Sequence, residues 1–499
     1  MSGIFTGLTR GVPGLGPREM APPAGTFEEP ARIGAAASLR YSPEKLFLGL
    51  IGASVTGSGS DRCAQGGHLV GVTDDRHAIT IAGSRAGKGR SAIIPNMLLY
   101  AGSILAIDPK GELARETALR RERAGQGVFV IDPFGTVTGK AGRLRCGFNP
   151  MAFISAETLI EDAALIADAL VMTGSGDPHW DESARTLIEG VILEVATAER
   201  FEGRRNLVTV RDLIAQGEEF TDPETGLTET DMEALGGFMR ESPVAAVRRA
   251  AADFFDRPDR ERDSVLSTAR RHLRALSFPE IEASLRGEGL DLASLKTGRA
   301  TVYLCLPGRH IGTCGRWLRL FVNLALQAME RTPGAPAAGC AVLFVLDEFA
   351  SLGHMRQIED AAGQIAGYGV KLWPILQDLG QLKALYKDRW ETFMGNAGTL
   401  QFFGNNDLTT LEWISKRLGS TTIEQLSGSM VAPGAAASGA KGESYTPRTI
   451  AILEPEEIAL VFGRADPLLR QLVIRAGYAP MILQRAFYDK HEGFGHETG

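Results

Sequence analysis

The chain has 499 residues, enough for about three domains, and 44% of them are hydrophobic, so each domain can bury a sizeable core. Its 53 Lys+Arg against 60 Asp+Glu leave a formal net charge of −7, which excludes a surface basic throughout that would hold nucleic acid indiscriminately; any DNA contact must be local. Cys63, Cys146, Cys305, Cys314 and Cys340 lie far apart without a CxxC pair, which excludes a disulfide framework or zinc knuckle and fits a reducing cytoplasm.

Residues 1–40 are rich in Gly, Pro and Ala and read as a flexible arm. Nothing resembles a cleaved signal peptide, and the apolar run Leu46–Val55 is well short of the ~20 residues that cross a bilayer, so a soluble chain without a membrane span is expected. Short apolar runs between Tyr41 and Gly71 suggest a β entry into a nucleotide-binding domain. His77–Ser91, HAITIAGSRAGKGRS, then joins a buried strand (Ala78–Ile81) to Gly83, Ser84, Arg85, Ala86, Gly87, Lys88 and Gly89. Gly83 and Gly87 let the backbone turn its N–H groups around an anion, the following helix adds its positive end, and Lys88 can reach β- and γ-phosphates. The expected ligand is a nucleoside triphosphate. Ala82 stands where the P-loop pattern has its first glycine, and Gly89 replaces the Ser/Thr that would touch magnesium, so metal binding must lean on other residues.

After the loop, Ala92–Tyr100 should be helical, kinked or interrupted by Pro95. Ser103–Ile107 then delivers Asp108 to a DPKGE turn, a helix covers about Leu113–Arg123, and Val128–Ile131 ends in Asp132, Pro133 and Phe134. Two strand ends carrying Asp-Pro suggest side-by-side parallel strands with a ligand-binding C-terminal edge, or two aspartates that cap helices and form turns. From Ala156 to Gly287 the pattern is helical almost without strands. Leu187, Ile188, Val191, Ile192 and Val195 share one helical face, and Val244, Val247, Ala251 and Phe254 another, which points to an inserted all-α domain. Its Arg248, Arg249, Arg270, Arg271 and Arg274 could meet phosphates or form a solvated face. His179 and Trp180 begin a helix in DPHWDE, where a lone histidine reads as a capping or packing residue.

The α/β pattern resumes with the strand Ala300–Leu306 and the amphipathic helix Trp317–Met329, so strands on both sides of the insert can complete one sheet. Ala341–Leu346 suits a central strand and ends in Asp347 and Glu348, two carboxylates that are costly there unless they face a cation or a site. In a P-loop enzyme Asp347 would hold magnesium, commonly through water, and Glu348 would polarise the attacking water. Val370–Leu376 ends in Gln377, with Gln381 one helical turn later; an amide beside the acidic strand can orient a water or sense a γ-phosphate, although an exposed turn glutamine is the plainer alternative. Thr399–Phe403 follows as a strand and Asp407–Leu418 as a helix. Ser427–Ser444, rich in Gly, Ala and Ser, reads as a mobile loop. A short helix around Glu454–Val461 and two brief strands near Leu472 and Ile482 precede a polar end. The expected division is 1–40 arm, 41–155 nucleotide-binding domain, first part, 156–287 inserted all-α domain, 288–489 nucleotide-binding domain, second part, and 490–499 polar tail.

The series GSRAGKG with IIPNML, LAIDPKGE, VIDPF with CGFNP, DPHWDESA, SVLSTA, VLDEFASLG, YGVKLWPILQDLGQLKALY and FFGNND resembles the TraG family of type IV secretion coupling proteins from about Leu46 to the C-terminus. The resemblance implies a RecA-like P-loop NTPase with a mainly parallel sheet interrupted by the inserted all-α domain, using ATP and Mg2+. It implies a homo-hexamer around a pore and delivery of DNA, single-stranded with its relaxase, or of effector protein to a conjugation or secretion channel. The location implied is the cytoplasm, at the inner membrane through partners. By the same carry-over Lys88 binds phosphates, Asp347 the metal, and Glu348 and Gln377 are catalytic. Most members begin with two membrane-spanning helices, which this sequence does not show. Related ATPases carry an arginine between the acidic strand and the glutamine; Gln364–Val370 has none, leaving Arg389, Arg417 and Arg448 as candidates for a trans-acting arginine. Two other functions fit the residues: a cytoplasmic FtsK-like DNA translocase without a secretion partner, and a substrate receptor that binds nucleotide without turnover.

Overall fold

A computed structural model describes residues 26–172, 178–221, 228–359, 365–429 and 442–495. Its strands in chain order are β1 (Leu46–Ile51), β2 (Ser54–Thr56), β3 (Cys63–Gln65), β4 (His68–Val72), β5 (Ala78–Ala82), β6 (Ile104–Ile107), β7 (Gly127–Ile131), β8 (Glu218–Thr221), β9 (Thr228–Asp231), β10 (Ala300–Leu304), β11 (Val342–Leu346), β12 (Val370–Leu376), β13 (Thr399–Phe403), β14 (Ser420–Ser429), β15 (Gly442–Ala451), β16 (Arg470–Arg475) and β17 (Met481–Gln484). Eleven of them build one sheet in the order β4-β1-β17-β16-β13-β5-β12-β11-β6-β10-β7. From β13 to β7 all neighbours are parallel, whereas the β13–β16, β16–β17, β17–β1 and β1–β4 pairs are antiparallel.

Every residue of β5, β6, β10, β11, β12 and β13 is buried, as expected of strands covered on both faces. Alternation along the strands sorts their side chains into two cores. Ile79, Ile81, Leu105, Ile107, Phe344 and Leu346 face the core that contains Trp317 and Phe321 of the helix Gly308–Arg331, together with the inserted helices. Ala78, Ala82, Ile104, Ala106, Leu343 and Val345 face the other, with Ile93, Met97 and Leu113. The sheet and the insert therefore share one continuous core.

Between β7 and β10 lie the helices Leu159–Leu170, Pro178–Thr197, Leu207–Gln216, Met232–Glu241, Ala245–Phe255, Asp259–Leu273 and Pro279–Leu285, and one small hairpin, β8–β9. Pro178–Thr197 is the central helix, with Leu187, Ile188, Val191, Ile192 and Val195 all buried. Gly190 allows close helix approach, since a side chain there would overlap Ala250. The chain enters and leaves this region side by side, because Gly147 and Gly289 form a parallel bridge.

Several expectations need correction. The strands ending in Asp108 and Asp132 are not neighbours: β10 lies between them, with Thr301 opposite both Ile104 and Val128. The slot between β6 and β7 is filled only when the chain returns from the insert. Pro95 sits in the first turn of the helix Ile94–Leu99, and the irregularity falls before it, as a π-turn over Gly89–Ile93 in which Ile94 N–H reaches the Gly89 carbonyl. That wider turn accommodates a ring that lacks an N–H and would clash with the carbonyl four residues back. Of the arm, residues 1–25 lie outside the described residues, but Pro30–Ala35 is helical and buries Ile33. The tail is not merely polar: Phe494 is buried edge-on against Phe47, with ring centroids 5.7 Å apart, while 496–499 lie outside the described residues. Both ends of the stretch read as a loop, Ser427–Ser429 and Gly442–Ser444, extend a long antiparallel pair, β14–β15; residues 430–441 lie outside the described residues.

Candidate nucleotide-binding site

β5 lies between β13 and β12, so its C-terminal end opens onto a loop with a strand end on either side. In that loop Arg85 (φ 57°) and Gly87 (φ 89°) are left-handed, the alternation that turns successive N–H groups into one concave nest. The loop is clamped from the β13 side. Gly83 N–H donates to the Phe403 carbonyl (3.1 Å), and Ala86 N–H donates to the Gly83 carbonyl (3.0 Å). A side chain at Gly83 would overlap the Gly404 carbonyl, and one at Gly404 (φ 69°) would overlap the Ala86 methyl. Beyond the nest the helix begins at Gly89, where a Cβ would meet nothing within 4 Å.

Three elements bring the polar groups together. Lys88 Nζ lies 2.8 Å from Asp347 Oδ1 and 2.8 Å from Glu348 Oε1. Gln377, at the end of β12 and so between the loop and the acidic strand, donates from Nε2 to Glu348 Oε2 (3.3 Å). The Gln377 backbone is fixed in turn: its N–H donates to Gln381 Oε1 (3.0 Å), and its carbonyl accepts from Asn405 Nδ2 (3.2 Å). Glu348 has φ 51°, a conformation unfavourable for a side-chain-bearing residue and characteristic of functional turns. Its N–H donates to Asp347 Oδ1 (2.9 Å).

The electrostatics follow from burial set against this pairing. Burial raises the Asp347 pKa, and Lys88 only partly offsets it. For Glu348 burial also pushes upward, but the Lys88 bond and charge, then Gln377 and the nearby Lys110, outweigh it and the pKa falls. Burial works against the Lys88 charge too, yet the two carboxylates hold its pKa above the ordinary lysine value. The ammonium ion thus occupies a place built for positive charge. Among the described residues no group of three or more His, Cys, Asp or Glu side chains converges as a metal cage.

The other candidates fall elsewhere. Asp108 accepts the Ala114 N–H (2.9 Å) and Asp132 those of Thr136 (2.9 Å) and Val137 (2.8 Å), so both serve as cap and turn residues. Burial raises the Asp108 pKa to about 6, with the Asp347 charge adding to the rise. Arg270 and Arg271 line a cleft with Arg211 and Arg274, but Arg270 donates to the Ile214 and Ala215 carbonyls and Arg271 pairs with Asp181. Arg248 donates to the Ser242 carbonyl, and Arg249 is exposed. His179 begins the helix Pro178–Thr197 with its ring against Trp180. Gly404 and Asn405 are site-building residues to which the sequence reading gave no role. Their signal was the FFGNND stretch, where a glycine directly follows a buried strand.

A family model described as "Type IV secretory system Conjugative DNA transfer" matches residues 43–498. The "Probable conjugal transfer protein TraG" of Sinorhizobium fredii is 27% identical over 431 residues, covering 83% of this chain and 62% of its own length. "Protein VirD4" of Agrobacterium fabrum is 27% identical over 417 residues, covering 83% of this chain and 58% of its own. The chain thus spans about three fifths of the length of these curated relatives. Among solved structures, the bacterial conjugative coupling protein TrwBdeltaN70 in its unbound monoclinic form superposes with a TM-score of 0.61 at 17% identity, covering 83% of this chain and 86% of that one. The coupling protein TrwB in complex with ADP and Mg2+ gives 0.59 at 16% identity, over 83% and 86%. These likenesses show the fold, an α/β architecture around a mainly parallel sheet.

Proposed function

The chain belongs to the type IV secretory system conjugative DNA-transfer family, and we propose that it is an ATP-driven coupling motor that delivers DNA or protein to a type IV secretion or conjugation channel. The observation that carries this reading is the convergence of Lys88, Asp347, Glu348 and Gln377 from three strand ends beside an anion-shaped loop. Residues 83–89 would hold ATP and Asp347 would hold Mg2+, which when bound would neutralise negative charge on the phosphates. That TrwB was solved with ADP and Mg2+ and with ADPNP supports this choice of ligand.

The residues then act in sequence. The polyphosphate carries more negative charge than Glu348 and draws the Lys88 ammonium from it. Losing that neighbour removes the largest influence holding the Glu348 pKa down, so the carboxylate becomes a stronger base. Gln377 keeps its hold on Oε2 and fixes the carboxylate's direction. Glu348 takes a proton from water as the water oxygen bonds to the γ-phosphorus; the bond to the bridging oxygen breaks, and ADP leaves with that electron pair.

The chain is assigned to residues 41–155 and 288–489 as motor and 156–287 as cargo-docking helices, with assembly as a homo-hexamer. The cargo is single-stranded DNA with its relaxase, or effector protein. Among the described residues no helix is long and apolar enough to cross a membrane. Attachment to the inner membrane through partners is part of this proposal. The test is hydrolysis by Glu348→Gln, which keeps size and hydrogen bonding but removes the base: turnover should fall ~10²–10⁴-fold while ATP still binds. Lys88→Ala should abolish binding in calorimetry. Near-normal turnover in the first variant, or unchanged affinity in the second, refutes the assigned roles.

A further inference from the structure

The chain following the last sheet strand returns to the nucleotide loop. Arg485 directly follows β17 and is 1% exposed. Its Nη1 donates to the Ala86 carbonyl (2.9 Å), its Nε donates to the Leu469 carbonyl (3.4 Å), and its guanidinium lies 5.3 Å from the centre of the Phe403 ring. Nη2 is buried without a partner. The same segment grips the far side of the loop: Tyr488 N–H donates to the Arg90 carbonyl (3.1 Å), Arg90 pairs with Asp489 (2.5 Å), and its guanidinium covers the Phe487 ring at 4.4 Å.

A trans peptide points its C=O and N–H in opposite directions, and the described backbone contains no cis bond. Pinning the Ala86 carbonyl from outside therefore aims the Gly87 N–H the other way, into the concave side where Lys88 follows. A buried cation behind a cup of N–H groups also acts on an anion through poorly screened surroundings. We propose that Arg485 is a positioning residue for the phosphates of the nucleotide, orienting the Ala86–Gly87 peptide and placing a fixed positive charge behind the loop. Burial lowers its pKa only to about 10, so the group is charged at neutral pH. A lysine there keeps the charge but offers one nitrogen on a flexible stem in place of the planar pair of donors that spans Leu469 and Ala86.

This inference rests on the nucleotide-site reading, and the test separates the two. Binding of fluorescent ADP, and its displacement by inorganic pyrophosphate, are measured for wild type, Lys88→Ala, Arg485→Met and Arg485→Lys, with thermal unfolding of each ligand-free protein. Pyrophosphate isolates the phosphate contribution, which a general loosening of the fold would not single out. Expected are ~10–100-fold weaker ADP and pyrophosphate binding in Arg485→Met and a loss of ~3–10-fold in Arg485→Lys, which regains part of the affinity through its charge. Wild-type affinity for pyrophosphate in Arg485→Met overturns the proposal; if that variant does not fold, wild-type affinity in Arg485→Lys does so. A wild-type protein that binds neither ligand refutes the nucleotide site itself.

Discussion

At the scale of single residues the loop depends on positions that tolerate nothing more than a hydrogen atom, and on one that has room to spare. Gly404 combines a left-handed φ of 69° with contact against the Ala86 methyl. An alanine there carries ~1–2 kcal/mol of backbone strain in addition to the overlap. Gly404→Ala should therefore lower unfolding free energy by roughly 2 kcal/mol or more and displace the loop, so that ADP affinity falls too. Denaturant unfolding and an ADP titration check it, and wild-type values in both would sink the clamp. Gly89 is the converse case, being helical with open space at its Cβ. Gly89→Ser restores the hydroxyl of the common P-loop pattern and should tighten ATP binding in Mg2+ but not in EDTA. A gain that survives chelation would instead owe nothing to the metal.

At the scale of elements the helix Gly308–Arg331 joins the site to the inserted helices. Its Arg319 donates to the Leu352 and His354 carbonyls (3.2 and 2.6 Å), bracing the turn that follows Glu348. Its Arg331 pairs with buried Asp162, and its Arg316 approaches His272 (3.4 Å), which is held by Asp181 (2.8 Å). The bridge between Gly147 and Gly289 means that a short linker replacing 156–287 closes the chain geometrically. It would nevertheless expose the apolar side of this helix, because the inserted helices and the sheet share one core. The expected outcome is a melting temperature at least ~10 °C below wild type with binding of an apolar dye, since lost core burial costs several kcal/mol. A deletion variant melting like wild type would make the insert a separable unit. The sequence alone reveals β5, β11 and β12 because each is an unbroken apolar run with its polar chemistry at the end. It does not reveal that β10 separates β6 from β7, since nothing local marks a slot filled some 170 residues later. Nor does it reveal the roles of Arg485 and Phe494, single residues in a segment with no periodicity. The β14–β15 pair is not legible either, because its strands are rich in Ser, Thr, Gly and Glu and carry no apolar alternation.

At the scale of the whole molecule the question is where positive charge for the transition state comes from. An arginine placed on the transferring phosphoryl group supplies ~10³–10⁵ in rate, equivalent to roughly 4–7 kcal/mol. In the site proposed above Lys88 already serves the ground-state phosphates. Of the candidates in the C-terminal third, Arg389 is committed to Glu359 in this conformation. Arg417, in the last turn of the helix Leu408–Leu418, and Arg448, on β15, are exposed and form no ion pair among the described residues. Exposed arginines can reach a neighbouring subunit's site, so the ring proposed above would complete what one chain lacks. Specific ATPase activity should then rise with protein concentration and with added DNA, whose phosphates favour ring closure in a charged pore. Arg417→Ala or Arg448→Ala, whichever residue is the finger, should lower turnover ~10³-fold or more without weakening ATP binding, and mixing with Lys88→Ala chains should restore part of it. Such complementation works because each defective subunit contributes the half that the other lacks. Turnover that is independent of concentration in a strictly monomeric protein, at the rate of the assembled form, would remove the shared site and the ring with it.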